Sequence, residues 1–310
     1  MSSTTRLRLF RASPASTSLA ARLSEYASAV DRRLAQHLPP QGSGEDVLSA
    51  AMRAAVLSAG KRVRPALVLL VAEAFGRRDE AVLDVACVPE LVHAASLALD
   101  DLPCMDDADV RRGEPTLHRQ FGEAVAILAA FALLARAQAL LPRTLAAAGV
   151  APAHRRQLQQ RFAEVIEALC RGQVADLAMV SSRAGLDVLE RIHAQKTGAL
   201  FEYATLLGAV TAGARGRELE AVLAYARNLG LAFQVSDDLL DARGCAGAMG
   251  KAPGRDAALG RATFVSVFGL EGAESLCEEL VQAARQALRP LGSAAHWLAE
   301  LAAYVRHRTA

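Results

Sequence analysis

Apolar residues recur at threes and fours along almost the whole of this chain, and no stretch alternates apolar with polar residues for the length of a useful strand. A period of 3.6 puts such residues on one helix face, whereas a half-buried strand needs a period of two. "SLAARLSEYASAVDRRLAQHL" ends at Pro39-Pro40, "VLSAAMRAAVLSAG" at Gly60, and "VACVPELVHAASLALDDL" at Pro103. Between and after them the pattern continues through "RPALVLLVAEAFG", "GEAVAILAAFALLARAQALL", "APAHRRQLQQRFAEVIEALCRGQVADLAMV", "VLERIHAQKTGALFEYATLLGAVTAG", "ELEAVLAYARNLGLAFQVSDDLLDA", "ESLCEELVQAARQAL" and "SAAHWLAELAAYVRHR". Loops are short, apart from the Gly-rich "RGCAGAMGKAPGRDAALGRAT". Ala and Leu, both strong helix formers, dominate, while aromatics make up only 5%. The expectation is an all-α fold: one domain over residues 18–310, helices around an apolar cavity, preceded by a flexible tail over 1–17.

The formal net charge of +2 gives no global field that calls for nucleic acid or an anionic membrane, so electrostatic function has to be local. Five cysteines are scattered singly, without CxxC spacing, which fits neither a disulfide framework nor a zinc site. A reducing compartment is the simplest reading. "VLLVAEAF" and "AILAAFALLARA" are cut by charge before reaching the ~20 apolar residues of a bilayer span, so no membrane span is expected. The N-terminal "MSSTTRLRLFRASPASTSLAARLSEYASAV" carries no acid before Glu25. That pattern suits an organellar transit peptide or a frayed basic tail; it lacks the apolar core of a secretory signal, and a cytoplasmic location is the expectation.

Two apolar helices end in carboxylate clusters. "LDDLPCMDDADVRRG" holds Asp100, Asp101, Asp106, Asp107 and Asp109, then Arg111 and Arg112; "FQVSDDLLDARG" holds Asp237, Asp238 and Asp241. Positions four apart share a helix face, so Asp237 and Asp241 can serve one ligand with Asp238 beside them. Carboxylates this close repel one another unless a cation neutralises them, and a hard divalent ion does so through oxygen. One such cluster reads equally well as a solvated helix end; two point to metal ions around a polyanion, for which a diphosphate at the mouth of an apolar cavity is a natural candidate. Lys61, Arg62 and Arg64 in "AGKRVRPA" supply cations, Arg as a planar fork for phosphate oxygens and Lys as a point charge.

With these motifs in order, the chain resembles the trans-isoprenyl diphosphate synthases, most of all bacterial geranylgeranyl diphosphate synthases of carotenoid-type pathways. The resemblance runs from about Leu48 to near the C-terminus, through "GKRVRP", "LVHAASLALDDLPCMDDADVRRGEPTLH", "FGEAVAILAAFALL", "GQVADL", "KTGALF", "FQVSDDLLD" and "GKAPGRDAALGRATF". It implies a single-domain bundle of long helices around a deep apolar cavity, usually a homodimer, that joins isopentenyl diphosphate to an allylic diphosphate (dimethylallyl, geranyl or farnesyl) and releases pyrophosphate. Asp100, Asp101 and Asp106 match the first aspartate motif in its two-residue-insertion form, and Asp237, Asp238 and Asp241 the second. Together they would hold about three Mg²⁺ on the allylic diphosphate. Arg111, Lys196 and Lys251 match contacts to that diphosphate; Lys61, Arg64, His93 and Arg112 match the residues that bind isopentenyl diphosphate. Without the resemblance, His93 would read as a satisfied core histidine. Thr197 and Gln234 match residues beside the reacting carbons. Asp107 and Asp109 read as solvated acids, and Gln173 and Asp176 as orienting groups. The chain departs from the family at Arg261, often Lys, and at Phe264-Val265, commonly Tyr-Pro.

The resemblance also bears on product length. Ala95 and Ser96, then Leu91 and Val92, then Val88 lie one, two and three turns before Asp100, at ~5.4 Å per turn, comparable with one isoprene unit. Related farnesyl synthases commonly carry an aromatic where Ala95 stands, so two small residues favour C20. A bulky group elsewhere, such as Phe121, Phe131 or Phe162, would close the pocket sooner and give C15; longer products are the other alternative. The rivals are a class I terpene cyclase, which usually lacks a "DDLLD"-type second motif, and a non-catalytic partner subunit, which typically lacks aspartates.

Overall fold

The computed structural model describes residues 18–40, 46–179, 185–244 and 262–307. The tail over 1–17, Lys251 and Arg261 therefore lie outside the described residues. The all-α expectation holds: long helices make up nearly all the described chain. The chain divides into two compact units, one of residues 1–160 and 206–214, the other of 161–205 and 215–310.

The first unit contains α1 (Leu19–His37), α2 (Val47–Leu57), α3 (Val63–Ala74), α4 (Glu80–Asp100), α5 (Leu117–Phe121) and α6 (Glu123–Ala147). Side-chain caps start three of them: Ser18 accepts from the Ala21 N–H at 3.3 Å, Asp46 from Ser49 at 3.0 Å and Asp79 from Val82 at 3.0 Å. Each thereby satisfies an amide that the helix leaves unpaired. α4 is apolar on almost every side because it is wrapped by α1, α2, α3 and α6. α4 and α6 are both long and apolar enough to cross a bilayer, which the charge-interrupted sequence did not reveal. Burial of 72% of the apolar window of α4 marks it as a core helix. α6 differs, since Ala124, Leu128, Phe131, Ala135 and Gln138 form one exposed face. Phe131, a possible early floor of the product pocket from sequence, is 63% exposed and points outward.

The strand search also missed a feature. Val110–Arg111 and Glu114–Pro115 form a two-residue hairpin, β1 and β2, with Arg111 opposite Glu114. Its central residues Arg112 and Gly113 have φ of 55° and 82°, the positive pair required by the turn type that matches strand twist.

α7 (Pro152–Leu177) runs from the first unit into the second, and α9 (Ala199–Thr211) runs back. Besides these, the second unit holds α8 (Leu186–His193), α10 (Gly216–Ala242), α11 (Phe264–Ala287), a 3₁₀ stretch (Arg289–Ala295) and α12 (His296–His307). Its core gathers Leu189, Val235, Leu239, Phe264, Ala273 and Cys277. "VLERIHAQKTGALFEYATLL", expected as one helix, is interrupted by a π-helical turn over Ala194–Gly198, which carries Lys196 and Thr197. Such turns recur at functional sites because the wider ring shifts side chains off the α-helical register.

Candidate active site

In the first unit the acidic motif is built by folding its insertion back on the helix end. α4 stops at Asp100. The Asp106 N–H then bonds the Asp100 carbonyl at 2.9 Å, and the Ala108 N–H bonds that of Asp101 at 3.1 Å. The two extra residues thus loop out, and Asp106 returns beside Asp100. Asp107 takes the left-handed φ of 47° needed to close the loop. Its side chain and that of Asp109 are exposed and face Arg119, as expected of solvated acids. Asp101, only 3% exposed, receives Arg111 as a fork: Nε at 2.8 and 2.7 Å from its two oxygens, Nη2 at 2.5 Å from Oδ1.

The basic turn forms the other face of this half-site. Arg62 sits in the left-handed region with φ of 48° and is buried. Its guanidinium donates to Asp31 Oδ1 and Glu90 Oε1 at 2.7 Å, and to the carbonyls of Val56 and Ser58 at 2.8 Å. Burial opposes its charge, but Glu90 and Asp31 outweigh burial and raise its pKa. Arg62 is therefore the anchor of the turn, from which Lys61 projects to solvent and Arg64 is half-buried. His93 on α4 feels Arg64, Arg112, Arg111 and Arg62 together; burial and then these cations hold its pKa well below the ordinary value, so it is neutral at physiological pH. Of the expected set Lys61, Arg64, His93 and Arg112, the last three are thus near one another, with Arg111 alongside. A Cβ on Gly60 would stand 2.6 Å from Arg112 Nη1, so Arg112 lies across that glycine. Sequence reasoning missed this; the only trace was a glycine opening "GKRVRP". On α4, Val88, Leu91, Val92 and Ala95 are buried, and Ser96 gives its hydroxyl to the His93 carbonyl at 2.9 Å.

In the second unit the π-helical turn sets out the other half. Lys196 Nζ pairs with Asp176 Oδ2 at 2.5 Å, a partner for the lysine that the sequence reading did not specify. A Cβ on Gly172 would meet the Lys196 backbone N at 2.4 Å, which only glycine permits. Thr197 donates to Gln234 Oε1 at 3.1 Å, Gln234 Nε2 to Asp238 Oδ1 at 3.0 Å, and the Phe264 N–H to Asp238 Oδ2 at 2.8 Å. Thr263 and Ser266 complete a capping box at the start of α11, which fixes that amide. His193 stacks on Phe264 with ring centres 5.3 Å apart. Burial pushes its pKa down to about 4, with Asp176 opposing and Lys196 assisting. Asp237, Asp238 and Asp241 share the last turns of α10, with Asp237 the least buried.

The polyprenyl synthetase family model matches residues 45–294, some four-fifths of the chain and both acidic clusters. The chain belongs to the polyprenyl synthetase family. It is 41% identical over 267 residues to geranylgeranyl pyrophosphate synthase 10, mitochondrial, of Arabidopsis thaliana, covering 84% of this chain and 77% of that one. Among solved structures, an FPP/GFPP synthase from Zymomonas mobilis superposes with a TM-score of 0.75 at 34% identity, over 93% of this chain and 98% of that one. A polyprenyl synthase from Caulobacter crescentus, complexed with calcium and isoprenyl diphosphate, gives 0.81 at 25% identity, over 94% and 97%. As a polyprenyl synthetase this chain is a prenyltransferase of all-α fold.

Proposed function

We propose that this polyprenyl synthetase condenses isopentenyl diphosphate with allylic diphosphates and releases geranylgeranyl diphosphate as its main product. The observation that carries the reading is the first half-site, where Arg64, Arg112 and Arg111 lie near enough to His93 to act on it electrostatically, beside the returned Asp100–Asp106 loop. The all-oxygen, carboxylate-rich donors of both clusters suit a hard ion that also takes phosphate oxygens, which fits Mg²⁺. About three ions on the allylic diphosphate is the reading taken from the family resemblance. When bound, Mg²⁺ supplies positive charge that stabilises the departing pyrophosphate.

The chain's own residues do the rest. Lys61, Arg64, His93 and Arg112 hold isopentenyl diphosphate, and a neutral His93 donates a hydrogen bond without adding a further charge to four arginines. Arg111 and Lys196, with Lys251 and Arg261 from outside the described residues, bind the allylic diphosphate. Its C–O bond breaks, the allylic carbon joins the terminal alkene carbon of isopentenyl diphosphate, and the released pyrophosphate takes the proton. The Thr197 hydroxyl and Gln234 amide orient dipoles toward the cation. Ala95 and Ser96, with Leu91 and Val92 deeper on α4, line the growing tail. The relative's name supports C20, whereas the Zymomonas neighbour's name includes the shorter farnesyl product. Residues 18–310 are read as one catalytic domain. The exposed α6 face, with Leu128 at 60% and Phe131 at 63%, supports a homodimer, which Phe131→Glu should convert to monomer in light scattering. The location is read as cytoplasmic, although the Arabidopsis relative is named mitochondrial.

The test is incubation with farnesyl and isopentenyl diphosphates plus Mg²⁺, with products identified by mass spectrometry. Appearance of C20 diphosphate supports the reading; unchanged substrates overturn it. Ala95→Phe should shift the product to C15, and an unaltered product profile would remove Ala95 from the wall.

A further inference from the structure

We propose that Thr116 and His118 are positioning residues for isopentenyl diphosphate, which anchor the base of the β1–β2 hairpin and so place Arg112. This rests on the reading above that Arg112 holds that diphosphate.

The hairpin cannot hold itself. Its strands are two residues each, and an isolated two-stranded ribbon is marginal in water even when longer. Val110, Gly113, Glu114 and Pro115 are exposed, so its outer side gains little from burial. Its turn carries Arg112 at a φ of 55°, in the left-handed region that suits glycine or asparagine and crowds a longer side chain. A turn strained in this way persists only where its surroundings hold it.

The hold is at the base. The Thr116 N–H bonds the Asp109 carbonyl at 2.9 Å, one step beyond the last strand pair. Thr116 also stands at the N-cap of α5, where a threonine hydroxyl ordinarily accepts a bond from an amide of the first turn. Here it makes no such cap. Its proton goes instead to the Ala108 carbonyl at 2.7 Å, with the Asp109 carbonyl farther off at 3.4 Å. Ala108 is fully buried, and its own N–H bonds the Asp101 carbonyl at 3.1 Å. The tie therefore runs from Thr116 through Ala108 to the end of α4.

His118 fixes the direction of that hydroxyl. Its Nδ1 lies 3.1 Å from Thr116 Oγ1. The hydroxyl has one proton, already given to Ala108, so it accepts from His118 and Nδ1 carries the hydrogen. Nε2 is then bare, and it is the nitrogen that is buried with no partner among the described residues. The opposite tautomer would bury an unmet N–H at Nε2 and set two lone pairs against each other at Nδ1. Thr116 and His118 are 2% and 5% exposed, so water does not replace these bonds when one is lost.

The two arginines of the hairpin respond differently to a loosened base. Arg111 keeps a second hold, its fork onto Asp101. Arg112 lies across Gly60, a residue with no side chain to hold it, and takes its place from the hairpin backbone. Loosening the base should therefore weaken isopentenyl diphosphate, the ligand read for Arg112, and spare the allylic diphosphate, the ligand read for Arg111.

The experiment measures initial rates with farnesyl and isopentenyl diphosphates plus Mg²⁺, each substrate varied at a saturating level of the other. KM does not depend on how much of the protein is folded, so a variant that is merely unstable lowers the rate and leaves both KM values in place. Thr116→Val should raise KM for isopentenyl diphosphate about fivefold, the loss of one buried hydrogen bond, and alter that for farnesyl diphosphate less than about twofold. Thr116→Ser keeps the hydroxyl and should stay near the parent in both. Asn places its amide nitrogen where His has Nδ1, and Gln places its own where His has Nε2. His118→Asn should therefore stay near the parent, and His118→Gln should match Thr116→Val. The double variant Thr116→Val with His118→Gln should be no worse than Thr116→Val alone, because the two act as one unit. Equal rises in both KM values, no rise with Thr116→Val, or His118→Asn no better than His118→Gln overturns the proposal. Arg112→Gln should raise the same KM as Thr116→Val; an unchanged value there would instead defeat the underlying reading of Arg112.

Discussion

Replacing Arg62 with methionine isolates the anchor beneath the basic turn. The guanidinium makes four bonds of 2.7 to 2.8 Å, to Asp31, Glu90 and the carbonyls of Val56 and Ser58. Glu90 has only 3% of its side chain exposed, so loss of the arginine leaves a carboxylate without its hydrogen-bonded partner and shut off from water. Breaking one side of a buried pair costs about 3–5 kcal/mol, a figure that already contains its hydrogen bonds. Asp31 is 46% exposed and re-solvates, so its pair adds no more than about 1 kcal/mol. The left-handed backbone is equally unfavourable for Met, so nothing is regained there. The expected loss is therefore about 4 kcal/mol, a large part of the ~5–15 kcal/mol typical of a whole protein. Urea unfolding of the ligand-free protein, followed by far-ultraviolet circular dichroism, measures it through the transition midpoint. The double variant Arg62→Met with Glu90→Leu should recover at least half, because the uncompensated charge is then gone. A loss below about 1 kcal/mol, or no recovery in the double variant, would refute the anchor argument.

Other outcomes follow from the same geometry. Gly60→Ala should move the Arg112 guanidinium, a flexible end, and so raise KM for isopentenyl diphosphate severalfold with little change in unfolding midpoint. Gly172→Ala meets backbone instead, and should lower both stability and kcat, seen in thermal unfolding and initial rates. His193 titrates at about 4 when folded and at 6.5 when unfolded, so below pH 6.5 the unfolded chain takes up a proton that the folded one refuses. Stability should therefore fall from pH 6.5 toward 4, with a contribution of about 3 kcal/mol from this group. His193→Leu should flatten that slope in urea unfolding at stepped pH; His93, whose pKa is also lowered, acts in the same direction.

The acidic motifs were legible in the sequence because helix ends and carboxylate spacing are local facts. The pairing of Arg111 with Asp101 was not, since it depends on a hairpin too short for any alternation to register. Nor was the π-helical turn, because its residues carry the same apolar period as the helices on either side. Gly60 reads from sequence as an ordinary helix stop and Gly172 as one residue of a helical stretch; the guanidinium and the backbone that lie against them come from elsewhere in the fold.

The sequence by itself determined the helical class, the two helices that end in aspartates, the basic turn and the smallness of Ala95 and Ser96. These are matters of period, composition and spacing, written within a few turns of chain. Only tertiary structure decided which charged groups are already committed to one another. It made Arg62 the foundation of its turn, set Arg111 of the hairpin against Asp101, and brought the Phe264 N–H of α11 to Asp238. A carboxylate's partners are set by what folding brings within about 3 Å, and no local pattern records that.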